Sequence, residues 1–282
     1  MSENRIPLAG VIGAPIHHSR SPILQRHWLE VYGIKGYYIP MEIASEDLET
    51  VLRTLPKAGF VGCNVTLPHK EAALALADVV TDRAAVIGAA NTLTFLPDGR
   101  IQADNTDGFG FVANMQQHAP KWDAKAGPAA LFGAGGAARA VISALIEMGA
   151  PEIRIANRSR ARAETLREEF GGMITVYDWA EAGAMLEGAV TVVNTTSLGM
   201  VGKDPFTVPL DALSPTATVC DIVYTPLKTG LLKAARARGL ETVDGLEMLI
   251  GQAALAFETF FGVAAPRESD AELRAVLAVV RA

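Results

Sequence analysis

The sequence is short of the features that mark several classes of protein. Its 282 residues include only two cysteines, Cys63 and Cys220. Each stands alone in an apolar, strand-like run, without metal-ligand spacing or a disulfide framework. Both are expected as buried thiols in a reducing cytosol. Basic charge is scarce too: 25 Lys and Arg stand against 31 Asp and Glu, a net charge of −6. That balance argues against a nucleic-acid surface, which needs clustered Lys and Arg. The longest apolar runs are broken by a charge or a glycine within about a dozen residues, too short to span a bilayer. Met1-Ser2-Glu3-Asn4-Arg5 is not a basic region leading into an apolar core, so no secretory signal is expected. Low-complexity tracts and internal repeats are missing as well.

What the sequence does hold is apolar bulk. Half of it is apolar, enough for proper cores, and its length predicts two domains. The first part alternates strands at Ile6–Ile12, Tyr37–Ile43 and Phe60–Val65 with helices at Pro22–Val31, Glu46–Leu55, Glu71–Asp78 and Thr81–Ile87. A short hairpin follows, Asn91–Phe95 with Ile101–Ala103, turning at Pro97-Asp98-Gly99. That alternation predicts a mostly parallel sheet. The helix Asp107–His118 leads into Pro120–Pro128, whose Pro, Gly and Lys content suits a boundary.

A more regular alternation begins at Ala129. Ala129–Phe132, Glu152–Ala156, Ile174–Val176, Val190–Asn194 and Thr218–Val223 are continuous apolar runs of the kind a parallel sheet buries on both faces. The helices Leu246–Phe261 and Ser269–Val280 follow that domain and are expected back on the first, which makes it discontinuous.

Two polar clusters stand out in the first part. Asn64-Val65-Thr66-Leu67-Pro68-His69-Lys70 and Asn105-Thr106-Asp107-Gly108 each end an apolar run with polar side chains and then punctuate it. Strands deliver hydrogen-bonding groups to a cleft in this way. Lys70 can give and take a proton, and Asp107 can hold Lys70 or a substrate. A lysine opening a helix is not placed there by the macrodipole, which prefers anions. Asn91, at the start of a strand, adds another amide. Ser19 and Ser21 precede Pro22 and a helix. One of them could cap that helix, which leaves the other hydroxyl for a small carboxylate. His17 and His18 show no metal-ligand spacing in the sequence and read as structural.

Gly133-Ala134-Gly135-Gly136-Ala137 follows the strand Ala129–Phe132 and opens a helix. Gly133 and Gly135 fill the first two positions of a dinucleotide fingerprint, with Ala138 at the third. Such glycines let a pyrophosphate approach the backbone and rest on the helix N-terminus. Asn157-Arg158-Ser159 ends the next strand, with Arg160 and Arg162 close behind. NAD enzymes usually place a carboxylate there for the ribose 2′-hydroxyl. A guanidinium instead pairs with a 2′-phosphate, so NADP is expected over NAD.

At this point the sequence resembles the shikimate dehydrogenase family, NADP-dependent reductases of aromatic amino-acid (chorismate) biosynthesis. The matching stretches are Pro15–Pro22, Asn64–Lys70, Gly88–Thr92, Asp104–Gly108, Gly133–Ala137, Asn157–Ser159, Asn194–Gly199, Asp221–Tyr224 and Asp244–Gln252. They occur in the family's order and cover nearly the whole chain. The resemblance implies an α/β fold: a discontinuous substrate domain (1–108 and 245–282) around a Rossmann-type, doubly wound NADP-binding domain (109–244), with a cleft between them. It implies Lys70 and Asp107 as the catalytic pair. Ser19, Ser21, Thr66 and Tyr224 would lie near the substrate carboxylate, and Asn64, Asn91 and Gln252 at its hydroxyl face. The cofactor would take Gly133, Ala134, Gly135, Gly136, Ala137, Asn157, Arg158, Ser159, Arg162, Thr195, Ile222 and Gly245, with no metal. Glu247 stands where many relatives have Gly.

The activity so implied is the reversible, NADP-dependent reduction of 3-dehydroshikimate to shikimate. The expected partners are that small molecule and neither nucleic acid nor membrane, in the cytoplasm, with a homodimer admitted. Tyr224-Thr225-Pro226-Leu227-Lys228 matches the Tyr-x-x-x-Lys spacing of short-chain dehydrogenases, but Pro226 breaks the helix that chemistry needs. A quinate or broad-specificity dehydrogenase of the same fold is the nearer alternative. A non-catalytic nucleotide sensor is the more distant one, and the intact Lys70 and Asp107 speak against it.

Overall fold

The computed structural model describes residues 6–279, so Met1–Arg5 and Val280–Ala282, the latter holding the end of the expected helix Ser269–Val280, lie outside the described residues. The chain divides into two compact units. One runs to Asp107 and resumes at Leu249; the other is Gly108–Met248.

In the first unit the chain runs through β1 (Leu8–Gly13), α1 (Ser21–Val31), β2 (Tyr37–Glu42), α2 (Leu48–Thr54), β3 (Phe60–Val65), α3 (Lys70–Ala75), β4 (Val79–Val80), α4 (Asp82–Ile87), β5 (Thr92–Phe95) and β6 (Ile101–Asp104). The sheet order is β2-β1-β3-β5-β6-β4. β1 pairs in parallel with both β2 and β3, and β4 with β6, while β5 is antiparallel to β3 and β6. The parallel majority follows from the strand–helix alternation. β5 alone runs against its neighbours, and the turn after Leu96 folds β6 back on it.

Period-two alternation decides which side chains each face buries. Ile12, Cys63, Val65 and Leu93 join Leu48 and Leu52 on one side. Ala9, Val11 and Tyr38 face the other, against Ala256 and Phe260 of the C-terminal helix Leu246–Phe261. Trp28 of α1 meets Phe257 of that helix edge-on at 5.4 Å, and both are fully buried. Removing such an aromatic costs about 3–5 kcal/mol. Gln25 Nε2 donates to the Ala253 carbonyl at 3.1 Å, and the Arg20 guanidinium donates to the Leu277 carbonyl. These contacts bind the C-terminal helices to α1.

The second unit continues with α5 (Asp107–His118), β7 (Ala129–Phe132), α6 (Gly136–Glu147), β8 (Ile153–Ala156), α7 (Arg160–Phe170), β9 (Ile174–Tyr177), β10 (Thr191–Asn194), β11 (Thr218–Asp221), α8 (Gly230–Ala237) and β12 (Glu241–Asp244). Every pairing is parallel, in the order β12-β11-β10-β7-β8-β9. The chain starts at the centre with β7, winds outward through β8 and β9, then returns beside β7 with β10 and winds the other way. This is the Rossmann order, with its switch point between β7 and β10. β7, β10 and β11 are buried along their whole length. Leu131 packs under Phe111, Val141 and Leu145 on one face, and Phe132 packs with Leu186, Val192 and Leu231 on the other.

The sequence reading did not assign β12. Its Glu-Thr-Val-Asp composition carries one apolar residue, and as an edge strand it needs only one buried face.

Candidate active site

The carboxyl ends of β3 and β6 bring the first cluster together. Lys70 is the first residue of α3, directly after the buried N-cap His69, whose Nε2 lies 2.8 Å from the Ile43 carbonyl. Asp107 is the first residue of α5. The two side chains form an ion pair, Lys70 Nζ to Asp107 Oδ2, and only 12% and 8% of them is exposed. Asp107 is held from behind: Asn91 Nδ2 donates to its Oδ1 at 2.9 Å, and Asn105 Oδ1 accepts its backbone N–H at 3.0 Å. An ammonium has three donors, so this pair leaves Lys70 two for another oxygen.

Asn91 is the hub of a wider web. Its Oδ1 accepts from the Thr106 N–H at 2.9 Å and from Thr92 Oγ1 at 2.9 Å. Its Nδ2 also faces Thr106 Oγ1 at 2.9 Å and Gln252 Oε1 at 3.3 Å. The register that sets Asn64 opposite Thr92 lets Asn64 Nδ2 reach Thr92 Oγ1 at 3.1 Å. Asn64 Oδ1 in turn accepts the Tyr38 hydroxyl at 2.7 Å. Burial raises the Tyr38 pKa well above the usual phenol range, which keeps this hydroxyl a donor. Tyr38, Thr92 and Thr106 are members of the web that the sequence reading did not single out. Thr92 and Thr106 flank residues it did name; Tyr38, on β2, carried no local signal.

The structure corrects the reading of the two serines. The N-cap of α1 is Arg20, with no side-chain cap bond, and Ser21 is already helical. Neither serine is therefore the helix cap; Ser19 Oγ accepts only a long 3.4 Å bond from the Ser21 N–H. Thr66 follows β3 and donates its N–H to the Ile12 carbonyl at 2.8 Å. A Cβ on Gly13 would come within 2.5 Å of the Thr66 methyl, so Thr66 closes on the end of β1. His17 and His18 meet ring to ring at 5.4 Å. Among the described residues no group of His, Cys, Asp or Glu could hold a metal ion.

The second unit shapes a different site at its switch point. Gly133 has φ +110, and a Cβ there would lie 2.5 Å from Thr195 Oγ1. Only glycine turns the chain here and admits the loop after β10 alongside. Gly135, the N-cap of α6, has an extended backbone that any residue could adopt. What distinguishes it is empty space, with no atom within 4 Å of where its Cβ would be. A pyrophosphate fits that opening, on the unsatisfied amides of Gly136, Ala137 and Ala138 that begin α6. Ala134, between the two glycines, is buried.

At the end of β8, Asn157 Nδ2 donates to the Ser159 carbonyl at 2.8 Å. Ser159 is the N-cap of α7, but its side chain makes no cap bond. The arginines divide. Arg160 is committed to Glu164 at 3.0 Å and Asp178 at 2.8 Å. Arg158 is exposed and pairs with no carboxylate among the described residues, and Arg162 is exposed one turn of helix further on. An open guanidinium without an acidic neighbour at this tip suits a 2′-phosphate rather than a ribose hydroxyl.

Beyond β10, Thr195 Oγ1 donates to the Phe132 carbonyl at 2.7 Å. Ile222 follows β11, and a Cβ on Gly245 would collide with its main chain, so the end of β12 lies directly against it. Tyr224 is half-buried after β11, within the second unit.

The chain is similar to known proteins. The family model described as the shikimate dehydrogenase substrate binding domain matches residues 11–93. The shikimate/quinate 5-dehydrogenase model matches 115–201, and the shikimate 5′-dehydrogenase C-terminal domain 245–272. The chain is 65% identical to the shikimate dehydrogenase (NADP(+)) of Cereibacter sphaeroides, over 94% of this chain and 95% of that one. The Thermus thermophilus shikimate 5-dehydrogenase, solved with NADP(H) and shikimate, superposes with a TM-score of 0.84 at 36% identity, covering 96% of this chain and all of that one. The quinate dehydrogenase of Corynebacterium glutamicum, solved with NAD, gives 0.87 at 32%, covering 98% and 100%.

Proposed function

Because the chain belongs to the shikimate dehydrogenase family, we propose that it interconverts 3-dehydroshikimate and shikimate, with NADP as cofactor. The observation that carries this reading is the buried Lys70–Asp107 pair with two lysine donors left over. When bound, the cofactor supplies or takes the hydride; the remaining work belongs to the chain. In reduction Lys70 delivers a proton, or a polarising hydrogen bond, to the carbonyl oxygen. In oxidation it receives the hydroxyl proton. Asp107 holds the lysine in place, and Asn91 holds Asp107.

Asn64, Asn91 and Gln252 line the hydroxyl face in this reading. A substrate hydroxyl reaching Asn91 would displace its longest contact, Gln252 Oε1 at 3.3 Å. Ser19, Ser21, Thr66 and Tyr224 are assigned to the carboxylate. The finding that neither serine caps α1 supports the first two. The remaining assignments, Gly133–Ala137, Asn157–Ser159, Arg162, Thr195, Ile222 and Gly245, hold the cofactor. Arg158 gives the preference for NADP.

A homodimer and a cytoplasmic setting complete the proposal. The edge strand β2 exposes Tyr37 and Ile39, apolar surface for a second copy. Cys63 and Cys220 are free, buried thiols. Sedimentation equilibrium tests the assembly. No helix among the described residues is long and apolar enough to cross a membrane.

The experiment is an initial-rate comparison of shikimate and quinate with NADP and with NAD. Shikimate with NADP should be the best of the four combinations. Quinate turned over faster would transfer the reading to the quinate branch, and no turnover in any combination would defeat it.

A further inference from the structure

Asp221 ends β11 with no exposed surface at all. Nothing above requires a carboxylate there, and burying one is expensive. Its contacts show what it is doing. Asp221 Oδ1 accepts from Asn194 Nδ2 at 2.9 Å and from the Val223 N–H at 3.1 Å, while Oδ2 accepts from Thr229 Oγ1 at 2.6 Å. Each donor belongs to a different segment: the end of β10, the loop after β11, and the N-cap of α8.

Each segment is shaped by the residue that Asp221 holds. Asn194 Oδ1 accepts the Thr196 N–H at 3.1 Å and its hydroxyl at 2.7 Å, which folds the turn carrying Thr195 against Gly133. Val223 fixes the backbone beside Ile222, against which Gly245 packs. Thr229 caps α8 by accepting the Leu232 N–H at 3.3 Å. An ionised carboxylate accepts from all three donors; a neutral amide in its place would turn an N–H toward one of them.

We propose that Asp221 is a positioning residue for cofactor binding: its buried carboxylate ties the Asn194–Thr196 turn, the Ile222–Tyr224 loop and the start of α8 into one rigid wall at the carboxyl edge of the second sheet. This rests on the reading of that unit as the NADP-binding one. It gives the carboxylate's placement a purpose, since burial raises the Asp221 pKa to about 6 against the pull of its hydrogen bonds. Such a cost in stability is usual where a site must be held in one geometry.

The test titrates NADPH, without substrate, into the full chain as wild type, Asp221→Ala, Asp221→Asn and Thr229→Val. Asp221→Ala should weaken NADPH binding and raise KM for NADP by about tenfold or more, the scale of lost hydrogen bonds to a charge. KM for shikimate should rise less than KM for NADP, because of the groups assigned to the substrate only Tyr224 sits on a segment that Asp221 holds. Asp221→Asn keeps two of the three acceptor contacts and should recover part of the affinity. Thr229→Val, which deletes the third, should match it. A purely structural aspartate would lower the melting temperature of these variants and leave NADPH affinity where it was, and that result overturns the proposal. If Asp221→Ala does not fold, unchanged affinity in both milder variants overturns it equally. Wild type that binds no NADPH overturns the parent reading, and this one with it.

Discussion

In the function proposed, the two units hold their ligands by different means. The first presents side chains: Lys70, Asp107, Asn91, Asn64 and Thr92 form one hydrogen-bonded web. The second presents mainly backbone, with Gly133 and Gly135 clearing space in front of the amides that open α6. Proton transfer needs a specific titratable atom, and only a side chain supplies one. Pyrophosphate recognition needs several converging N–H groups, which a bare helix start already has. Substitutions in the Lys70 web should therefore strike turnover, and those around the glycine loop cofactor affinity.

The largest expected effect is at Lys70. Lys70→Ala should lower kcat about 10²–10⁴-fold with a much smaller rise in KM, since the contribution of a general acid exists mostly in the transition state. A variant keeping more than about a tenth of wild-type kcat would remove Lys70 from the chemistry. The structure adds a stability cost. With the pair nearly buried, deleting the ammonium leaves Asp107 uncompensated, a loss of about 3–5 kcal/mol. Denaturant unfolding of Lys70→Met should show it, and Asp107→Asn in the same chain should restore part of it.

Next in size is a pH effect at Asp221, whose pKa is raised from 3.8 to about 6 by burial. Between about pH 4 and 6 the folded protein holds a proton that the unfolded chain has released, so stability falls as pH rises through that window. At 1.36 kcal/mol per unit, the wild type should lose about 3 kcal/mol between pH 4 and 7 relative to Asp221→Asn. Cys220, whose thiol burial pushes up, and Asp244, opposite Asp221 on β12, are present in wild type and variant alike. Equal slopes in the two proteins would mean that Asp221 does not titrate there.

Arg158→Ala should raise KM for NADP by about tenfold or more, the value of a hydrogen bond to a charged group, and leave NAD kinetics nearly unchanged. Equal losses for both cofactors would make Arg158 structural. The smallest effects belong to Ser19→Ala and Ser21→Ala. Each should weaken shikimate binding by at most about 1.5–3 kcal/mol, with little change in melting temperature because neither hydroxyl caps α1. Lower stability with a normal KM would reverse that assignment.

The difference between the units also governs how much could be read beforehand. Phe60–Val65, Asp107–His118, Ala129–Phe132 and Leu246–Phe261 have the bounds expected of them, because apolar runs and amphipathic periods are local signals. The glycine loop was legible for the same reason: strand, turn and helix are contiguous. The web around Asn91 was not, since its contact with Gln252 spans 161 positions and the Tyr38–Asn64 bond 26. Individual members could be named, but which atom faces which depends on strand register. Asp221 lay inside a matched stretch, yet nothing local shows that it holds three separate segments.

The division of labour is tested most directly by titrating NADPH into Lys70→Met. The account predicts a dissociation constant equal to that of wild type in a protein whose turnover has collapsed. Affinity for NADPH falling in step with kcat would contradict it.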